Sequence, residues 1–499
     1  MHWVLLVMSF SVLSVGLPAF LIADVEDVAR SEAWIVTLAI MVWAGVRLSL
    51  LWVAGLPRLF DFFFWLFTYI FMGIAPTAQI RSGLTSTTTP GVDPGLDLPA
   101  AGVVALGIVC YEIGRLAWMQ REHVRRRREQ LKPRTISKWR TMTLFFVAMA
   151  LSAFVVARLG VTIFQGSRDG AAAARAAAWP DPAVRSLIYA SGIYPMVVAV
   201  GAMIQWRRSS RTPLSRQLTL AAAIAGTCVL LLIVNPVTSA RYSFGTIAFA
   251  LAVYAGVLAN QRRARIAMLA VIAGFLFVFP LADAFRRVDG GVATRTGFFT
   301  EYLSNPDYDA FWQVANSISF WVDGLVVPLR QFAGSVLFWV PRALWADKPT
   351  DTGIMLAEYR GYSFDNLSAP IWAEAIVNGG IIAVVLAFLA FGLGARAMDS
   401  RIVVALRISG SWAIAGAILP VFTTILLRGS LLQATGPLLL TVACLVFVSA
   451  RGADEHETVD SSAPNLSGVS AIPVDRASQS IPQTDIGGPS GRSELGDIE

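Results

Sequence analysis

Apolar residues fill this chain in runs of about twenty, separated by short polar or basic stretches. A helix rising 1.5 Å per residue needs about 20 apolar residues to cross the hydrocarbon core of a bilayer. Such runs lie near 3–22, 33–54, 59–76, 99–119, 141–160, 186–206, 218–235, 242–259, 266–284, 371–392, 403–425 and 430–450. The pattern predicts an all-α polytopic membrane protein of about 12 transmembrane helices, spanning 1–450. The first run has no basic leader and no small-x-small cleavage motif, so it reads as a retained helix. Residues 451–499 are rich in Ser, Pro, Gly and acidic residues. They lack the apolar content to fold and are expected to form a disordered cytoplasmic tail.

Charge sets the orientation. The segment 121–140 holds nine Lys/Arg, and WRRSSRTPLSR, NQRRAR and RAMDSR carry the next clusters. Placing these inside leaves an even number of spans between each pair and puts both termini in the cytoplasm. The formal net charge of +7 is therefore topogenic, and nucleic acid is excluded as a partner. Charged residues make up 15% of the chain, against about 25% in soluble domains. The opposite face carries loops 77–98, 161–185 and 285–370. The last contains FWQVANSISFWVDGLVVPLRQFAGSVLFWVPRALW, with Trp312, Trp321, Trp339 and Trp345. Aromatic, apolar sequence in an outer loop predicts interfacial helices, and loops this long usually carry function.

The common catalytic signatures are missing. There is no GxxxxGK[ST], HExxH, GxSxG or CxxC pattern, which removes P-loop chemistry and the familiar metalloprotease and hydrolase sites. Cys110, Cys228 and Cys444 each sit in an apolar run and read as packing residues. His2, His123 and His456 are scattered, so no metal site is expected. Asp307-Tyr308-Asp309 is a DxD triplet, a weak signal by itself.

The positive signal is arginine on the outer side, where the topology rule disfavours it. Arg241 lies in a short outer connection, Arg286 and Arg287 follow the ninth span, Arg342 follows Trp339, with Lys348 six residues on, and Arg428 lies in another short turn. Each could snorkel to headgroups or pair with a carboxylate. Together they suit a lipid diphosphate, because the guanidinium fork makes bidentate charge-assisted bonds to phosphate. Glu374 sits one turn inside the tenth span, with Ser368 as a candidate N-cap and Asn378 on the same face. A glutamate in a span is a functional candidate, the alternative being an ion pair with an outer Arg. Asp309 is either an acceptor-binding or basic group, or a solvated loop acid. Asp283 and Arg286 read as a structural pair.

WVPRALWADKPTDTG and GYSFDNLSAPIWAEAIVNGGIIA resemble the signature region of bacterial oligosaccharide repeat-unit polymerases of the O-antigen type. FTYIFMGIAPTAQ and NPVTSARYSFGT resemble further segments of that family. The resemblance spans roughly 60–430, and the 339–380 block is its most specific part. It implies a GT-C-like fold in the bacterial plasma membrane and a metal-independent glycosyltransferase without cofactors. Its donor and acceptor are undecaprenyl-diphosphate-linked oligosaccharides, and a chain-length regulator is an expected partner. The resemblance carries catalytic roles to Arg241, Arg342 and Glu374. Substrate-binding roles fall to Arg286, Asp309, Lys348, Asn366, Ser368, Asn378 and Arg428.

Two rivals stand beside this reading. An O-antigen-ligase-like transferase is expected to use an outer-loop histidine, and none falls in a predicted outer loop. A lipid or polysaccharide transporter usually shows repeats or helices broken at mid-membrane, whereas the polar residues here gather at the outer ends. A scaffold without chemistry does not explain the basic, aromatic outer loop.

Overall fold

The computed structural model describes residues 2–125, 135–278, 298–365, 367–406 and 410–450, apart from the side chains of 2, 122–125, 182–183 and 241. The predicted tail 451–499 lies outside the described residues, as do Asp283, Arg286, Arg287, Asn366 and the side chain of Arg241. The chain is a polytopic helical membrane protein. Ten described helices are long and apolar enough to cross a bilayer. They are α1 (Trp3–Asp24), α2 (Ala33–Ala54), α3 (Leu59–Arg81), α4 (Pro94–Arg121), α5 (Lys138–Leu159), α6 (Val184–Ser209), α7 (Pro213–Ile233), α13 (Ile371–Ala405), α14 (Ser411–Arg428) and α15 (Leu431–Val448). Ten of the twelve predicted spans are thus matched. The eighth run forms only α8 (Tyr242–Tyr254), which stops before the Gly256 turn. The ninth begins as α9 (Gln261–Ala273) and continues as a π-helical turn to Val278, beyond which the described residues end. Between α9 and α13 lie α10 (Ala310–Val322), α11 (Arg330–Val336) and α12 (Thr352–Arg360). One short antiparallel ladder pairs Thr135–Ile136 with Ser449–Ala450 and ties the start of α5 to the end of α15.

The central helix is α3. Its Phe62, Phe63, Phe64, Trp65, Phe67 and Tyr69 are all buried, and the Phe64 ring stacks on Tyr111 of α4 at 3.6 Å between centroids. Glycine brings α4 and α13 unusually close. A Cβ on Gly392 would lie 2.0 Å from the Tyr111 carbonyl oxygen, and one on Gly114 would lie 2.2 Å from that of Leu389. Small residues at such crossings let backbones approach where lipid gives helices no hydrophobic reason to associate.

A charged network closes the end of α3 remote from α10. Asp399 of α13 accepts the Phe60 and Asp61 main-chain N–H groups, each at 3.0 Å, and so caps α3 from another helix. Asp61 accepts from Trp65 Nε1 at 2.9 Å and from the Tyr111 hydroxyl at 3.1 Å. Arg47 and Arg115 both meet Glu112, at 2.7 and 2.6 Å. The network joins α2, α3, α4 and α13.

The aromatic loop segment divides. Residues Ala310 through Ile318 of α10 are buried against α4 and α13, and Trp312 Nε1 donates to Gln79 Oε1 at 2.6 Å. This half is core: of helices lying on or dipping into the membrane surface, as expected for this segment, it is not the former. The period of α10 places Trp312, Ala315 and Asn316 on one packed face, and the polar Gln313 and Asn316 find partners inside. Beyond it, Val322, Leu325, Val327, Leu329, Trp339 and Leu344 are exposed. Cys110 and Cys444 are buried, whereas Cys228 is exposed on α7 and is not the packing residue expected.

Candidate functional site

The site is built where α10, α11, α12 and the segments linking them meet the near ends of α13, α14 and α15. The long helix α13 starts at Ile371 and is interrupted at Gly379 and Gly380. Gly380 takes φ 63°, a left-handed conformation that glycine adopts without penalty. A Cβ there would also lie 2.7 Å from Trp321 Nε1. Asn378, just before the break, fastens the loop. Its carbonyl accepts the Leu329 N–H at 2.9 Å and its Oδ1 accepts the Phe332 N–H at 2.8 Å, which caps α11 from outside. Leu329 itself has φ 58°, a strained value for a γ-branched residue that the Asn378 contact holds in place. Asn378 shares a face with Glu374, as expected, and donates to its carbonyl at 2.7 Å.

Ser368 is not the N-cap of α13. Pro370 occupies that position without a side-chain cap. Ser368 turns instead to Asp309, which accepts both its main-chain N–H, at 2.9 Å, and its hydroxyl. The reason is burial. Asp309 is 2% exposed and needs donors more than the helix terminus does. It is therefore not a solvated loop acid. The two aspartates of the DxD triplet part company, since Asp307 pairs with Arg428 at 2.8 Å. Tyr242, in the first turn of α8, lies within electrostatic range of Arg428. The backbone of Arg241 thus starts its helix at this same level.

Burial pushes the Asp309 carboxyl above the usual carboxylate range, and Arg428 and the Ser368 donors only partly offset it. Folding therefore favours the protonated form. The resulting penalty is present above the raised pKa and disappears as pH falls through it towards the unfolded value. Asp309→Asn is expected to raise the unfolding temperature by a few degrees at neutral pH and to leave it unchanged near pH 4, which is the sign opposite to that of a salt-bridged aspartate. Thermal unfolding in detergent at several pH values checks this.

Glu374 is buried, at 1% exposure. Among the described residues it forms no ion pair with arginine. One carboxylate oxygen accepts the Leu431 N–H at 2.9 Å at the start of α15, and the other has no hydrogen-bond partner of normal geometry. Asp351, which the sequence reading passed over, is buried nearby as the N-cap of α12.

Arg342 and Lys348 do converge. They line a cavity of about 290 Å³ with Arg330, Asp347, Gln331 and Thr350, the remaining wall including Phe320, Leu325, Val327, Met355 and Val377. Arg342 donates to the Lys348 carbonyl at 2.8 Å, and Lys348 Nζ to the carbonyls of Phe338 and Val340 at 2.6 and 2.9 Å. Carbonyls orient the two cations without neutralising them, and donors remain on both. Burial, then the Arg342 charge, holds the Lys348 ammonium below its ordinary pKa. Other cations of this region behave differently. Arg30 pairs with Asp97 at 2.9 Å, Arg81 with Asp27 at 3.1 Å, and Arg428 with Asp307. Only Arg330 has a carboxylate in the cavity, Asp347 at 3.8 Å. Arg342 and Lys348 are thus two adjacent positive charges that form no ion pair with any described residue.

Neither Glu374 nor Asp309 lines this cavity. Comparison with known protein families, with characterised proteins and with solved structures gave no match.

Proposed function

We propose that this chain is a metal-independent glycosyltransferase, GT-C-like with twelve spans, that polymerises lipid-linked oligosaccharide repeat units at the outer face of a bacterial plasma membrane, with both termini in the cytoplasm. The observation that carries the reading is the cavity holding Arg342 and Lys348, beside exposed Leu325, Val327, Trp339 and Leu344. A cationic pocket bordered by apolar surface suits a ligand that joins a diphosphate to a long hydrocarbon chain. The resemblance of the 339–380 segment to oligosaccharide repeat-unit polymerases supports the same conclusion.

In the proposed reaction an acceptor sugar hydroxyl attacks the anomeric carbon of the donor. The bond from that carbon to the diphosphate oxygen breaks, and undecaprenyl diphosphate departs with the bonding electrons. Charge grows on the leaving oxygen, where Arg342 and Lys348 stabilise it. The hydroxyl proton passes to the departing diphosphate. Glu374 and Asp309, read from sequence as groups that orient or deprotonate the acceptor, are buried and engaged. They are assigned positioning roles, holding α15 and the 367–370 segment. Arg241, Arg286 and Asn366 remain candidates for further contacts to the lipid-linked substrate.

The interruption of α13 at Gly379–Gly380 favours a second reading, a transporter, because discontinuous helices commonly bind cargo in such proteins. One experiment separates the two. Purified chain in liposomes with a defined undecaprenyl-diphosphate oligosaccharide should produce a ladder of longer glycans. A transporter would move the substrate across the bilayer without lengthening it.

A further inference from the structure

We infer that Asp351, Thr352 and Glu374 form a binding site for a divalent cation of the calcium type, assembled where α12, α13 and α15 begin. The inference does not depend on the proposed reaction. Each carboxylate has one oxygen committed to a main-chain donor. Asp351 Oδ1 accepts the Gly353 N–H at 2.8 Å, and Glu374 Oε1 accepts the Leu431 N–H at 2.9 Å. The second oxygen of each, together with Thr352 Oγ1, is buried without a hydrogen-bond partner of normal geometry. All three residues are more than nine-tenths buried. Thr352 and Ser430 reach the Glu374 carboxyl, and Ser430 and Gln433 the Asp351 carboxyl, only as long-range or poorly aligned donors, and Asp351 is near enough to Glu374 to repel it.

No described arginine or lysine answers these two charges. Arg342, Lys348 and Arg360, the nearest cations in sequence, are turned to main-chain carbonyls. A buried carboxylate pair is costly unless something neutralises it. Beside the two carboxylates lie the Thr352 and Ser430 hydroxyls and the side-chain amide of Gln433. Their oxygens are hard donors and no His or Cys side chain is among them, the kind of set that selects calcium over zinc or copper. Two carboxylates balance a charge of +2. No three acidic, His or Cys side chains converge among the described residues, so the hydroxyl and amide oxygens are needed to complete the shell.

The competing occupant is a single proton shared by the two carboxyls. Equilibrium dialysis of the chelator-treated, detergent-purified full chain against radioactive calcium separates them, run beside thermal unfolding in calcium, magnesium and sodium chlorides. The expected result is saturable binding of one ion per chain and an unfolding temperature that rises with calcium. Asp351→Asn, which keeps the oxygen that caps α12, should abolish binding. Thr352→Val should weaken it about tenfold. Absence of saturable binding to the folded wild-type chain would overturn the site, as would equal binding by Asp351→Asn. A wild-type chain that is stabilised by acid and indifferent to calcium would assign the pair a proton instead.

Discussion

Arg342→Ala lowers the rate of glycan extension about 10²–10³-fold while the protein inserts and folds normally. The size follows from what one preorganised charge contributes when aimed at an oxygen that becomes negative in the transition state, about 2.7–4 kcal/mol. Folding should be spared because Arg342 is exposed. Its hydrogen bonds go to the Lys348 and Pro349 carbonyls, which water can satisfy after truncation. Arg342→Lys should recover only part of the rate, since an ammonium keeps the charge but loses the bidentate fork. Extension rates with a defined lipid-linked donor, normalised to the amount of folded protein, give the comparison. Equal rates for wild type and Arg342→Ala would remove this residue from the chemistry.

Gly392→Leu prevents the bundle from assembling. A Cβ at Gly392 would lie 2.0 Å from the Tyr111 carbonyl oxygen and 2.8 Å from its carbonyl carbon. The obstacle is backbone, which cannot swing aside as a side-chain end can. Even Gly392→Ala should lose about 1–3 kcal/mol or more, although alanine is the better helix former by about 1 kcal/mol. Gly394 provides the control. Nothing lies within 4 Å of a Cβ built there, so Gly394→Ala should hold or slightly raise stability. Thermal unfolding and the yield of monodisperse protein in detergent distinguish the three variants. The separation of α4 from α13 matters to the site because Glu374 and Asn378 are carried on α13, and spreading this crossing would displace both.

Hydropathy and charge made the membrane helices legible, because a span needs length and composition more than any particular partner. The failures are where partners decide. Ser368 stands where an N-cap belongs, yet it bonds to Asp309, 59 residues away in sequence, and a local motif cannot anticipate that. Trp312 looked like an interfacial anchor, and Gln79 draws it into the core. The interruption of α13 had a signal, the Asn378-Gly379-Gly380 triplet, but it lay inside an apolar run that reads as continuous helix. The network of Arg47, Asp61, Glu112, Arg115 and Asp399 was open to detection, since ionised residues within spans are unusual. The outer arginines drew the reading away from it. Asp351 was hidden because a loop aspartate ahead of a short helix is ordinary in sequence, and only its burial beside Glu374 sets it apart. Of the candidates, Arg342 and Lys348 came together for a simple reason. Pro341 and Pro349 flank a tight segment in which the two cations bind each other's neighbouring carbonyls.

The most direct measurement is binding of a prenyl diphosphate to the purified chain. It should be run beside the same prenyl alcohol and with Arg342→Ala plus Lys348→Ala in one protein. Tight, salt-sensitive binding of the diphosphate is the expected result, with weak binding of the alcohol and loss of the preference in the double variant. Equal affinity of the wild-type chain for the diphosphate and the alcohol would contradict a diphosphate site in this cavity, and so would an unchanged preference in the double variant.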